Sequence, residues 1–135
     1  MKKFTLSLII ALAEFASGYS QNVKTSTIQW SSVKTMDINK GDSNDEATTL
    51  TNYGTTRFEW KNQDGSMRKN FQIIEVVGDW TNAASDGSLT FEVTDGTNSG
   101  TITIRKDDQN TKVLMVIVTD PPQVTELTIQ SLQAL

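Results

Sequence analysis

The stretch that decides the fold is residues 88–105, which read SLTFEVTDGTNSGTITIR. Its first half alternates leucine, phenylalanine and valine with polar residues, and its second half alternates Ile102 and Ile104 with threonines. A period of two places one side chain in the interior and the next in solvent, as in a half-buried β-strand. The intervening Asp, Gly and Asn tolerate the left-handed backbone that hairpin turns require. The stretch therefore predicts two antiparallel strands with one dry face and one wet face.

The same pattern recurs along the rest of the chain. Segments rich in Thr, Ile, Val, Phe and Trp are separated by short clusters of Asp, Asn and Gly, which is typical of an antiparallel all-β domain. A closed eight-stranded β-barrel is the favoured architecture, and a two-sheet β-sandwich is the alternative. We predict a single meander of eight strands, at residues 25–38, 47–53, 55–62, 67–77, 88–94, 100–106, 112–119 and 123–131.

Two segments allow more than one secondary structure. Residues 79–87 predict either a short helix capped by Asp79 or a long hairpin loop. Residues 123–131 favour a strand because threonine and isoleucine recur there, with a helix as the alternative.

Residues 1–20 have the features of an export signal. Two lysines precede a largely apolar run at residues 4–13, and small residues follow. That run is shorter than the about 20 residues of a permanent transmembrane helix. We therefore predict cleavage before Gln21, a secreted or periplasmic protein of the bacterial envelope with no membrane span after removal of the leader, and one folded domain at residues 21–135. An uncleaved N-terminal helix is the alternative.

The chain contains no histidine and no cysteine. Catalytic arrangements that depend on these side chains, and the zinc sites built from them, are therefore excluded. We predict a non-enzymatic protein without a cofactor; a carboxylate-based hydrolase, with Glu75 facing a second acid, is the residual alternative. The net charge is −4 and the basic residues are scattered, so we expect no nucleic-acid partner.

A ligand site inside the barrel is predicted from strand parity. Lys34 and Glu75 share parity with apolar residues of their own strands, so regular strands would aim both charges inward. Buried charges are costly unless they are paired or wetted, and a ligand cavity is one setting that tolerates them. The alternative is a β-bulge near each charge, which returns it to solvent. The predicted ligand-binding residues are Trp30, Lys34, Met36, Trp60, Phe71 and Glu75.

Residues 113–118, VLMVIV, break the alternation because they are apolar on both faces. We expect the outer face of this strand to be covered by a chain terminus or a partner, since a bare apolar strand is an aggregation hazard. The alternative is an exposed patch that docks another protein.

An acidic stretch surrounds Gly41. Its oxygen-bearing side chains suit calcium, but Gly41 occupies the third ligand position of an EF-hand loop, where Asp or Asn is required. We predict a solvated turn and no metal site, with a structural calcium ion as the alternative. The residues concerned are Asp37, Asn39, Asp42, Asn44, Asp45 and Glu46.

The leader, the length, the strand count and the meander-like turns together resemble the calycin superfamily of secreted ligand-binding barrels, the lipocalins and avidins. The resemblance is architectural and covers residues 21–135. It implies an eight-stranded barrel whose interior is filled by rings or holds one small apolar ligand. The lipocalin Gly-x-Trp triplet belongs at the first strand, whereas the triplet here is Gly78-Asp79-Trp80. No family site residue is therefore carried over.

The sequence thus predicts an exported, non-enzymatic β-barrel that binds a small, largely apolar ligand. The alternative function is a surface protein-interaction or carbohydrate-binding β module without a small-molecule cavity. Carbohydrate binding would require an exposed ring, such as that of Trp80, beside polar turns.

Overall fold

A computed structural model describes residues 22–135, which form one closed barrel of eight antiparallel strands. Each strand pairs with the next along the chain, and β8 closes the barrel by pairing with β1. The predicted all-β meander is confirmed, in its barrel form; the predicted leader lies outside the described residues. The strands are β1 Thr27–Asp37, β2 Asp42–Tyr53, β3 Arg57–Asn62, β4 Met67–Val77, β5 Gly87–Thr94, β6 Ser99–Asp107, β7 Asn110–Ile117 and β8 Gln123–Ala134.

Large apolar side chains fill the barrel interior. Phe58 and Phe91 meet edge to face with their ring centroids 4.7 Å apart, and both rings are fully buried. Burial of such a side chain stabilises the fold by about 1.5–3 kcal/mol, so packing holds the barrel together without disulfides. The buried apolar residues are Val23, Ile28, Trp30, Leu50, Phe58, Trp60, Phe71, Ile73, Trp80, Ala83, Leu89, Phe91, Val93, Ile102, Ile104, Val113, Met115, Ile117 and Leu127.

The barrel has two ends, which we name after the tryptophan nearest each. The Trp30 end is formed by residues 22–26 and by the β2–β3, β4–β5 and β6–β7 loops. The Trp60 end is formed by the β1–β2, β3–β4, β5–β6 and β7–β8 loops. Because the strands pair all the way round, a ligand reaches the interior only through one of these ends.

The structure corrects the predicted start of β2 and decides two open alternatives. β2 begins at Asp42 rather than at residue 47, because Gly41, at φ 72°, makes the turn within residues 38–41. Pairing with β1 then overrides the low strand propensity of the acidic residues that follow. Residues 79–86 form a loop and not a helix, and the C-terminal segment is a strand. Within residues 22–135 no helix is long and apolar enough to cross a bilayer.

Candidate functional site

The Trp30 end is closed by two stacked indoles. Trp80, in the β4–β5 loop, lies against Trp30 with ring centroids 5.8 Å apart and an interplanar angle of 30°. The Trp80 Nε1 donates to the Ser85 carbonyl at 3.1 Å, and the Trp80 carbonyl accepts from the Val23 amide at 2.9 Å. Both rings are buried, so the mid-chain Gly-x-Trp triplet closes the barrel from a loop.

Asn52 locks the N-terminal segment onto this end. Its side-chain Oδ1 accepts from Trp30 Nε1 at 2.8 Å, and its Nδ2 donates to the carbonyls of Val23 and Ser26, both at 3.1 Å. The residue is fully buried. Every one of these polar atoms therefore has a hydrogen-bond partner inside the protein.

The Trp60 end is closed by an ion pair that lies over an indole. The Arg68 guanidinium lies 4.3 Å from the centroid of the Trp60 ring, and its Nη1 donates to Glu46 Oε1 at 2.7 Å. Trp60 Nε1 donates inward to Thr48 Oγ1 at 3.0 Å. Guanidinium over an indole face is a cation–π contact, and the carboxylate adds a charge-assisted hydrogen bond. This end therefore has a polar cover, unlike the Trp30 end.

Thr35 lies beneath that cover with an unused hydroxyl. It is 8% exposed, and its Oγ1 has no hydrogen-bond partner among residues 22–135. The hydrogen bond from Arg68 lowers the pKa of Glu46, although partial burial of the carboxyl opposes this effect. The Thr35 hydroxyl also lowers this pKa, but it does not reach full hydrogen-bond geometry with Glu46. Glu46 is thus held as a carboxylate beside a buried hydroxyl that can still accept a hydrogen bond.

The structure separates the six residues predicted to bind a ligand. Trp30, Trp60 and Phe71 are buried in the interior, as predicted. The two indoles are nevertheless held at opposite ends of the barrel, because Trp30 bonds to Asn52 and Trp60 bonds to Thr48. None of the three surface clefts described below is lined by all three rings.

The inward orientation predicted for Lys34 is wrong. The register of β1 shifts between Ser32 and Lys34 against both neighbouring strands. Thr35 rather than Lys34 is the next buried residue after Ser32, so Lys34 and Met36 lie on the outer side of β1. The bulge alternative therefore holds here, because solvent keeps the ammonium hydrated at no packing cost.

Glu75 is displaced in the same way. The register of β4 shifts between Ile73 and Glu75, so that Val76 packs against the core and Glu75 is exposed. Glu75 pairs across the sheet with Glu92, and the hydrogen bond between their carboxyls, followed by their charge repulsion, raises the pKa of Glu92. The two acids are neighbours on one exposed surface, whereas a glycoside hydrolase needs them on opposite sides of a cleft.

The outer side of β7 carries exposed apolar side chains. Leu114 is 38% exposed and Val118 is 61% exposed, while Val116 pairs with Val124 of β8 and is partly buried. Ile38 adjoins them, since its amide donates to the Val124 carbonyl at 2.9 Å. The expected cover is absent within residues 22–135. We call Ile38, Leu114, Val116, Val118 and Val124 the β7–β8 apolar face.

Three clefts formed by the described residues lie at the rims or on the outer surface. One of about 610 Å³ adjoins the Trp60 end and is lined by acidic and amide side chains. No group of three acids within residues 22–135 is arranged to hold a metal ion. The residues lining this acidic cleft are Asp45, Glu46, Ala47, Asn62, Gln63 and Asp64.

Comparison of the chain with protein-family models, curated proteins and solved structures finds no match. The geometry of the described residues therefore carries the functional argument.

The polar residues that hold the two ends closed were not predicted from the sequence. Asn52 and Arg68 are single polar residues in ordinary strand contexts, and Glu46 lies in a stretch expected to be a solvated turn. Each acquires its role from a residue distant in sequence, such as the Glu46 carboxylate for Arg68. Only the adjacency of Arg68 and Lys69 was a visible signal, and adjacency does not indicate a cover over a tryptophan.

Proposed function

We propose that this protein is an exported, non-enzymatic β-barrel that binds a partner protein through the β7–β8 apolar face. The observation that supports this most directly is the outer side of β7, where Leu114 and the next residue after the strand, Val118, remain exposed although the inner side of the strand is fully used in the core. A strand needs only one apolar face to hold a barrel together. The second apolar face is therefore available for a contact outside the chain.

The shape and surroundings of this face suit a protein surface. The Val116 and Val124 pair forms its centre, and Thr101 on β6 extends it with another uncharged side chain. The Lys112–Glu126 ion pair, at 3.3 Å, borders it on the side of the Trp30 end. An apolar centre with a charged border is typical of protein interfaces, and burial of one leucine or valine contributes about 1.5–3 kcal/mol.

The test is photo-crosslinking in the protein's own host, with a benzoylphenylalanine introduced at Val118. The matched control carries it at Ile74, which is 64% exposed on β4, away from the β7–β8 apolar face. We expect one discrete adduct from position 118 that is absent from position 74. The adduct should also disappear when Leu114→Lys is added. Equal adducts from both positions, or none from position 118, would contradict the proposal.

A small apolar ligand is the second candidate function, and the interior rings are the observation that suggests it. Its weakness is that these rings pack against one another, as Phe58 and Phe91 do, and both ends are covered. Binding of a small apolar ligand is tested by thermal shift and tryptophan fluorescence with a panel of fatty acids, retinoids and sterols. A saturable shift in melting temperature or fluorescence with one compound would favour this function.

Carbohydrate binding is less favoured, because Trp30, Trp60 and Trp80 are all buried.

We also propose that the protein is exported and that it is related to the calycin-type barrels. The lysines and the apolar run at the N-terminus support cleavage before Gln21, and N-terminal sequencing of the mature protein tests that site. The closed meander of eight strands supports a divergent calycin-type barrel. Cell fractionation should find the mature protein in the periplasm or the medium.

A further inference from the structure

The contacts of Arg68 define a chemical group that the Trp60 end recognises. Its guanidinium is held by the indole face of Trp60 and by the Glu46 carboxylate, at 4.3 Å and 2.7 Å. An aromatic face combined with a carboxylate is the arrangement that binds guanidinium groups in proteins. Arg68 therefore occupies, from within the chain, a site whose chemistry suits an arginine-like ligand.

Arg68 is placed so that it can leave this site without breaking the barrel. Its position is the extra residue in β4, since Trp60 pairs with Lys69 and Lys61 pairs with Met67. The side chain is 29% exposed at the barrel rim, and Glu46 is 35% exposed. Ion pairs as exposed as this one add little to the stability of a fold, so this side chain can move into water at small cost.

One group at this end is not used by Arg68. Thr35 Oγ1 is buried beside Glu46, whose pKa it helps to lower, but no residue in the described part of the chain meets it at full hydrogen-bond distance and angle. A buried polar atom without a partner destabilises the folded state. A guanidinium carries five N–H donors in a planar fork, so a ligand that enters more deeply than Arg68 can satisfy both Glu46 and Thr35.

The acidic cleft beside Glu46 provides room for the rest of such a ligand. Its volume is about 610 Å³, and three of its lining residues are the carboxylates Asp45, Glu46 and Asp64. Hydrogen bonds from Ser66 lower the pKa of Asp64, so its carboxyl is ionised at neutral pH. The charge of the cleft is thus complementary to a cation.

We propose that the Trp60 end binds the guanidinium group of an incoming ligand, which takes the place of Arg68 on Trp60 and Glu46. The ligand is either a free guanidino compound or an arginine side chain of a peptide. This site is separate from the β7–β8 apolar face, so either proposal can fail without the other.

The experiment measures binding of methylguanidinium by tryptophan fluorescence and calorimetry to the purified mature protein and its variants. Arg68→Gln removes the internal competitor, and we expect it to bind methylguanidinium about tenfold more tightly than the unmodified protein. Arg68→Gln combined with Glu46→Gln should lose saturable binding, and Arg68→Gln combined with Thr35→Val should weaken it. Lys69→Gln is the matched control, because Lys69 pairs with Asp95 instead, and it should bind like the unmodified protein.

Two further arms identify the source of the group. N-acetylcitrulline amide, a neutral analogue, should not bind to Arg68→Gln. A Gly-Arg-Gly peptide that binds more tightly than methylguanidinium indicates a peptide ligand, and equal affinity indicates a free guanidino compound. The proposal is overturned if Arg68→Gln gains no affinity for methylguanidinium, or if binding survives Glu46→Gln in a variant whose circular dichroism shows a folded barrel.

Discussion

Trp30 and Trp80 stack with their ring centroids 5.8 Å apart, although one belongs to the first strand and the other to a loop in the middle of the chain. The contact joins β1 to the β4–β5 loop across the end of the barrel, where no strand pairing reaches. A loop is thereby made part of the core, and the N-terminal segment packs onto it through Val23.

Replacement of Trp80 should therefore destabilise the whole barrel. Trp80→Ala removes a ring that is 3% exposed and leaves a cavity against Trp30, at an expected cost of about 3–5 kcal/mol. Urea unfolding followed by circular dichroism measures the loss. Val77→Ala, at a position 56% exposed, is the control and should change the free energy of unfolding by less than about 0.5 kcal/mol. Equal effects of the two substitutions would show that Trp80 is not part of the core.

Gly87 is required by the same ring. A Cβ atom at this position would overlap Trp80 Cδ1, closer than real Cβ contacts allow. Gly87→Ala should thus lower the free energy of unfolding by about 1–3 kcal/mol, since the indole or the strand must shift. The neighbouring exposed Ser88→Ala serves as the control. If Gly87→Ala no longer lowers the free energy of unfolding in a protein that already carries Trp80→Ala, the clash with the indole is the cause of the destabilisation.

Loss of the Asn52 side chain should release the N-terminal segment. Asn52→Leu leaves Trp30 Nε1 and the Val23 carbonyl without a partner, whereas the Ser26 carbonyl keeps the Gly54 amide. Each buried unsatisfied group costs about 1–3 kcal/mol. Hydrogen exchange by mass spectrometry should show faster exchange in residues 22–26. Asn70→Leu, at an exposed site on β4, should leave the exchange of this segment unchanged.

The two neighbouring glutamates predict a pH dependence of a defined sign. The Glu75 hydrogen bond and charge raise the pKa of Glu92 in the folded state, so the folded protein binds more protons than the unfolded chain. Stability should then fall as pH rises from about 4.3, the ordinary value for glutamate, through the raised pKa. Glu92→Gln should remove this fall and stabilise the barrel at neutral pH, but not below about pH 4. Thermal unfolding of both proteins at several pH values measures this pH dependence of stability. A Glu92→Gln protein that is less stable than the unmodified protein at pH 7 would contradict the raised pKa of Glu92.

Much of the fold was predictable because strand period and turn chemistry are local. The alternation in residues 88–105 places Phe91 and Ile102 inside, and the structure pairs these two residues directly. Parity failed at Lys34 and Glu75 for a physical reason. Each follows a register shift, and such a shift is fixed by how the strand must bend against its neighbours rather than by its own residues.

The candidate sites were less predictable. The sequence showed that residues 113–118 are apolar on both faces and that one face could be exposed. Whether the outer face of β7 is exposed depends on what the other seven strands leave uncovered. The contact of Arg68 with Glu46 and Trp60 joins three different strands, and neither spacing nor composition indicates it.

The sequence by itself determined the class of the fold, the number of strands, the large residues of the core, and the absence of histidine and cysteine chemistry. These follow from period, turn residues and residue types, each of which acts within a few neighbours along the chain. Only the tertiary structure decided barrel closure, the outward positions of Lys34 and Glu75, and the covers at both ends. Those depend on β8 meeting β1 and on side chains from distant strands meeting at a rim, and such long-range contacts arise only when the complete barrel packs.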